Sequence, residues 1–214
     1  MNNATGFNPE IVNNSINGVI EAYQHLINAL GTNMQSTFVD QMATTWACTK
    51  AKEFFKNAFL PAINPLIESC TKTFTNVAGT MGEAGIGWAS DTGTDYVAPE
   101  LSPIEKEIDS SNILENIGGI RGIDLAAATN IVGQLPNIVA EANSALSEAK
   151  SAVSSSGYLG GDQNANLNSS LSTIQTSISE TVESLINQTK EAIEQTVEQY
   201  GDTAGKISEA FTIH

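Results

Sequence analysis

Apolar residues recur along the chain at spacings of three and four, the signature of amphipathic helices. From Pro9 to Met42 they fall at Val12, Ile16, Val19, Ile20, Tyr23, Ile27, Leu30, Met34, Phe38 and Met42. Asn8 before Pro9 and Glu10 reads as an N-cap with proline at the first helical position. The stripe breaks at Thr44-Thr45-Trp46-Ala47-Cys48-Thr49 and resumes over Ala51, Phe54, Phe55, Ala58, Phe59, Ala62, Leu66, Cys70, Phe74, Val77 and Met81. Pro61 and Pro65 lie inside this second stripe and are expected to bend it. Gly79, Gly82, Gly85 and Gly87 are expected to end it, before an acidic, proline-bearing linker over Ser90–Pro103 and a short helix over Ile104–Ile117.

A second pair of stripes follows. Asp124 is placed to cap a helix reaching about Val153, interrupted at Pro136, and a turn follows at Ser154-Ser155-Ser156-Gly157-Tyr158-Leu159-Gly160-Gly161. The last stripe runs from Leu167 to Tyr200 through Leu171, Ile174, Ile178, Val182, Leu185, Ile186, Ile193 and Val197, long enough to demand a partner. Trp46 and Tyr158, one in each turn, are 112 residues apart. The same offset sets apolar on apolar at Ile20/Val132, Tyr23/Leu135, Ile27/Val139, Met34/Leu146, Phe55/Leu167, Phe59/Leu171, Leu66/Ile178 and Cys70/Val182; Phe38/Lys150 and Ile63/Gln175 are exceptions. A lone helical hairpin cannot bury its own apolar face, whereas two in tandem can bury each other's. The predicted fold is all-α: two helix-turn-helix hairpins in a four-helix bundle, a single-chain pseudo-dimer. Residues 1–90 form the first hairpin, 91–121 an acidic linker and 122–214 the second hairpin.

Composition narrows the function. Lys and Arg total 9 against 24 Asp and Glu, a net charge of −15, with Arg121 the single arginine. Displacing counterions from nucleic-acid phosphates needs a positive face, so no nucleic-acid partner is expected, nor charge-driven binding to anionic lipid. Charged residues are only 15%, and Asn, Ser and Thr supply 60 of the 214 positions, so the polar surface is mostly uncharged. No apolar run is long enough to span a bilayer, and the first ten residues lack the basic and apolar regions of a cleavable signal peptide. Cys48 and Cys70, on one straight helix, would stand about 33 Å apart, far beyond disulfide reach, so free structural thiols are expected. His25 and His214, the only histidines, do not compose a metal site. Glu180, Glu183, Glu191, Glu194 and Glu198 read as a solvated face. No catalytic residue, cofactor or metal is predicted.

Two long helices joined by a tryptophan-bearing turn resemble the WXG100 (ESAT-6-like) family, small helical hairpins exported by type VII secretion systems, usually as dimers. The family's Trp-x-Gly turn reads Trp46-Ala47-Cys48 here, and in the second half Tyr158-Leu159-Gly160, so each half keeps one of the two motif residues. Tyr96-Val97-Ala98-Pro99-Glu100 matches the family's Tyr-x-x-x-acid export signal; Tyr200 to Ala204 fails at its last position. Pro99 disfavours a continuous helix through Ala98. The resemblance spans residues 8–100 and, more faintly, 122–211. It implies a non-enzymatic protein of a Gram-positive bacterium, secreted or at the cell surface, and a virulence-factor candidate. Its implied partners are the type VII machinery and another WXG100-like or effector protein. The alternatives are a membrane-active helical toxin and a structural coiled-coil protein of a cell surface or phage.

Overall fold

In the computed structural model, residues 7–118 and 121–210 are described, with backbone alone from residue 202 onward. His214 therefore lies outside the described residues. The fold is all-α, a helical bundle of two hairpin-like pairs.

The first helix begins where its cap predicts. Asn8 is extended, and its side-chain oxygen accepts from the N–H groups of Glu10 and Ile11 at 3.0 and 3.4 Å. The helix then runs over residues 9–45: α-helical at Pro9–Ile27, wide-turned at Asn28–Asn33 and Gln35–Val39, and α-helical again at Asp40–Thr45. In the wide turns the hydrogen bond reaches five residues back, as from Asp40 N–H to the Gln35 carbonyl. The sequence explains them. Leu26, Leu30, Met34, Phe38 and Met42 repeat every four residues and are all fully buried. A pure α-helix of 3.6 residues per turn would carry that row around its axis, whereas inserted wide turns keep it on one line.

The second helix repeats this solution over residues 49–92. Ala51, Phe55, Phe59, Ile63 and Ile67 also repeat every four and are buried, and a wide turn spans Phe55–Phe59. It closes with Leu60 N–H on the Phe55 carbonyl, directly before Pro61, which has no N–H to donate. The helix continues through Gly79, Gly82, Gly85 and Gly87, contrary to expectation. Two of these glycines admit close neighbours: a Cβ on Gly82 would sit 3.1 Å from Ala98 Cβ, and one on Gly85 would sit 2.7 Å from Val12 Cγ1. The true stop is Gly93, at φ 67°. Thr94 N–H bonds the Ala89 carbonyl and Gly93 N–H the Ser90 carbonyl, at 2.8 and 3.1 Å, the paired bonds of a left-handed glycine cap.

The third helix starts at its predicted cap, Asp124, whose Oδ1 accepts from Ala127 N–H at 3.0 Å. It has two segments, Leu125–Val132 and Leu135–Ser154. The break falls at Gly133–Gln134, not at Pro136, which occupies the first turn of the new segment. A proline ring crowds the carbonyl four residues earlier, so the irregularity appears upstream of it. The fourth helix, Gly161–Ala210, is α-helical throughout. Its seam runs through Leu185, Thr189, Ile193 and Thr196 rather than Ile186 and Val197; the two threonine hydroxyls donate to the Leu185 and Ala192 carbonyls, so both are buried with their donors used. The acidic residues of this helix named above are exposed.

The chain folds into two units, each drawing helices from both hairpins. One comprises Met1–Leu30, Leu66–Lys106 and Ala140–Ile178; the other comprises Gly31–Pro65, Glu107–Val139 and Ser179–His214. The first has an aliphatic core with Tyr23 against Phe74, ring centroids 5.7 Å apart. The second is centred on aromatic rings, Phe38, Phe55 and Phe59 lying 5.1–5.8 Å from one another. Cys48 and Cys70 are buried free thiols, and burial pushes the Cys70 thiol up to about 12. Of the eight apolar pairs at the 112-residue offset, six are buried at both positions, Ile20 and Val139 being the half-buried exceptions. The polar members of the two mismatched pairs meet each other: Lys150 Nζ donates to Gln175 Oε1 at 2.5 Å.

The connection between the hairpins is not a loose linker, and the helix expected over Ile104–Ile117 does not form. Asp109 instead turns the chain, its carboxylate accepting from Ser111 N–H at 2.9 Å and from the Ser111 hydroxyl, a local arrangement that competes with helix. Those bonds hold the Asp109 carboxyl below its usual range. Leu101, Ile108 and Ile113 are buried. Ile104 N–H donates to the Tyr23 hydroxyl at 2.8 Å.

Candidate functional site

The residues singled out by sequence lie at the two interhelical turns and on the connecting strap. At the first turn Thr45 ends the first helix, and Trp46–Ala47 forms a two-residue antiparallel ladder with Gly122–Ile123, Trp46 opposite Ile123. Asp124 N–H extends it by donating to the Thr45 carbonyl at 2.8 Å. The ladder thus fastens the first turn to the entry of the third helix. Trp46 is completely buried, stacked on Phe54 at 5.9 Å and edge-on to Phe55 at 6.4 Å. Its indole N–H has no acceptor among the described residues. Cys48 stands two residues after Trp46, where a Trp-x-Gly turn would have glycine. Its backbone is extended, φ −163°, so the position makes no demand for glycine. Its Sγ accepts from Ala51 N–H at 3.4 Å, and the thiol serves as N-cap of the second helix.

The second turn is built differently. Gly157 takes the left-handed conformation, φ 68°, whereas Gly160 does not and is exposed. Asn164 Nδ2 donates to the Val153 carbonyl at 2.9 Å, satisfying the end of the third helix. Tyr158 is half-buried, and its carbonyl accepts from Trp88 Nε1 at 2.9 Å. Its hydroxyl is buried without a partner among the described residues. Burial first, and the neighbouring Tyr96 phenol second, push its pKa above the usual phenol value.

Tyr96 and Glu100 are not brought together. The segment is non-helical, so residues four apart share no helix face. Tyr96 is tied down: its hydroxyl donates to Asn13 Oδ1 at 2.8 Å, its ring meets Phe7 edge-on at 5.0 Å, and burial raises its pKa. Glu100 and Val97 are exposed, Val97 at 87%, beside an open groove of about 360 Å³ lined also by Ile86, Gly82 and Glu83.

His25 forms an exposed pair with Glu148 at 2.9 Å. Among the described residues no group of three His, Cys, Asp or Glu is placed to hold a metal, and no helix is long and apolar enough to cross a membrane. Sequence reasoning missed Gln35 and Asn64, whose side chains hold the strap's backbone, and read Tyr23 only as a member of the apolar stripe. Their spacing carried no signal, because each bonds backbone far away in the chain. No family model, curated protein or solved structure matches this chain.

Proposed function

We propose that this is a non-enzymatic helical-hairpin protein, exported by a type VII secretion system and acting outside the cell as a secreted factor or as carrier for a partner. The observation that carries the reading is the first turn, where a tryptophan closes the joint between two long helices and the residue two positions on starts the second helix. The Tyr96–Glu100 sequence, following the first hairpin with Val97 and Glu100 exposed, supports it. The test is release of the tagged chain from a Gram-positive host with an active type VII system and from an isogenic strain lacking the system's ATPase. The reading expects protein in the medium of the first strain alone, and less of it for Tyr96→Ala. Equal release from both strains would overturn it.

A further inference from the structure

The strap between the hairpins is bounded by Gly93 and Gly118, both at positive φ. In the unit containing Gly31–Pro65, two side-chain amides grip its main chain. Gln35 Oε1 accepts from Asp109 N–H at 2.9 Å while Gln35 Nε2 donates to the Asp109 carbonyl at 2.9 Å. Asn64 treats Ile108 the same way, at 2.8 and 3.2 Å. A primary amide presents donor and acceptor side by side, as the edge of a β-strand does, so each grip reads backbone and ignores side chain. Gln35 is held for the task, since Nε2 also donates to Asp40 Oδ1 at 2.7 Å.

Side-chain choice comes from two sockets. Ile108 and Ile113 are each 2% exposed, whereas every other residue from 107 to 118 is at least partly exposed. Residues 107–113 have no helix or strand of their own. Beyond the two amides, the strap is tied to the helices by Asn112 Nδ2 donating to Asp40 Oδ1 at 2.8 Å and by the exposed Lys52–Glu115 pair at 3.4 Å. A segment with few buried anchors and exposed hydrogen bonds opens more readily than the core around it.

We propose that Gln35 and Asn64 form a binding site for an extended peptide, occupied in the resting protein by the chain's own residues 107–113. Its exchange ligand is an extended partner segment with two aliphatic side chains five residues apart. This rests on the strap seated in the site and is independent of the export reading.

The probe is a fluorescein-labelled synthetic peptide of residues 104–113, titrated against the full chain by anisotropy. Ile108→Asp in the protein loosens the resident strap and leaves the site intact. That variant is expected to bind the peptide at least tenfold more tightly than wild type. Adding Gln35→Ala and Asn64→Ala is expected to remove the gain, as is replacing both aliphatic anchors of the peptide with Asp. Equal binding by the single and triple variants, or none by the single variant, overturns the proposal. Should circular dichroism show the variants unfolded, hydrogen exchange on wild type decides: the Ile108 and Asp109 amides should exchange at least tenfold faster than that of Phe59, and equal rates overturn the proposal.

Discussion

The two interhelical turns join similar helices by opposite means. The first holds its tryptophan at 0% exposure among Phe54 and Phe55, and it is fastened by a ladder to residues 122–123, some 75 positions later. Its backbone is extended and unstrained at both Trp46 and Cys48. Among the described residues the second has no ladder, and its half-buried tyrosine has a hydroxyl without a partner; it is shaped by one left-handed glycine and an asparagine cap. One turn is closed by tertiary burial, the other by local backbone conformation. The 112-residue repeat therefore equates positions whose energetics differ.

Substitutions separate the two means. Trp46→Ala empties the largest fully buried side chain and should remove about 3–5 kcal/mol, read from urea unfolding; a loss comparable to that of a surface change would erase the distinction. Gly157→Ala forces a Cβ into the left-handed region and should lose about 1–2 kcal/mol at the second turn. Cys48→Gly, which writes Trp-x-Gly at the first turn, should destabilise by about 1 kcal/mol, because the extended backbone gains nothing from glycine while the cap and a buried side chain are lost. An increase in stability would mean the turn needs glycine after all. Gly160→Ala is the smallest: outside the left-handed region, with only Gln163 Oε1 near, at 4.0 Å, it should shift stability by no more than about 0.5 kcal/mol, upward. A large loss there would move the conformational demand from Gly157 to Gly160.

Helices were legible in the sequence because their signals are local. Asn8 and Asp124 cap where a side-chain oxygen precedes an apolar period, and the fourth helix holds one pitch from Leu167 to Ile193. The wide turns went unread, because rows repeating every four residues also occur in the regular fourth helix, at Ile174, Ile178 and Val182. Less was legible where the controlling partner is distant. A two-residue ladder is too short to alternate, so Trp46–Ala47 gave no strand signal. Glycines 82 and 85 read as breakers, yet they serve close packing against Ala98 and Val12, which lie elsewhere in the chain. The strap looked helical over Ile104–Ile117 because its apolar spacing fits a helix; Asp109 and the amides of Gln35 and Asn64 bind its backbone instead. Of the site residues, Trp46 and Cys48 lie between the first two helices and Tyr158 and Gly160 between the last two, and the left-handed glycine of the second turn is Gly157, which the sequence did not single out from its neighbours.

The most direct test is the fluorescence of Trp46 alone. Of the two tryptophans, Trp88 is 48% exposed and Trp46 is buried, so Trp88→Phe isolates the turn residue. Closure by burial predicts short-wavelength emission that iodide barely quenches until the chain unfolds. Solvent-like emission from the folded variant, freely quenched, would contradict it.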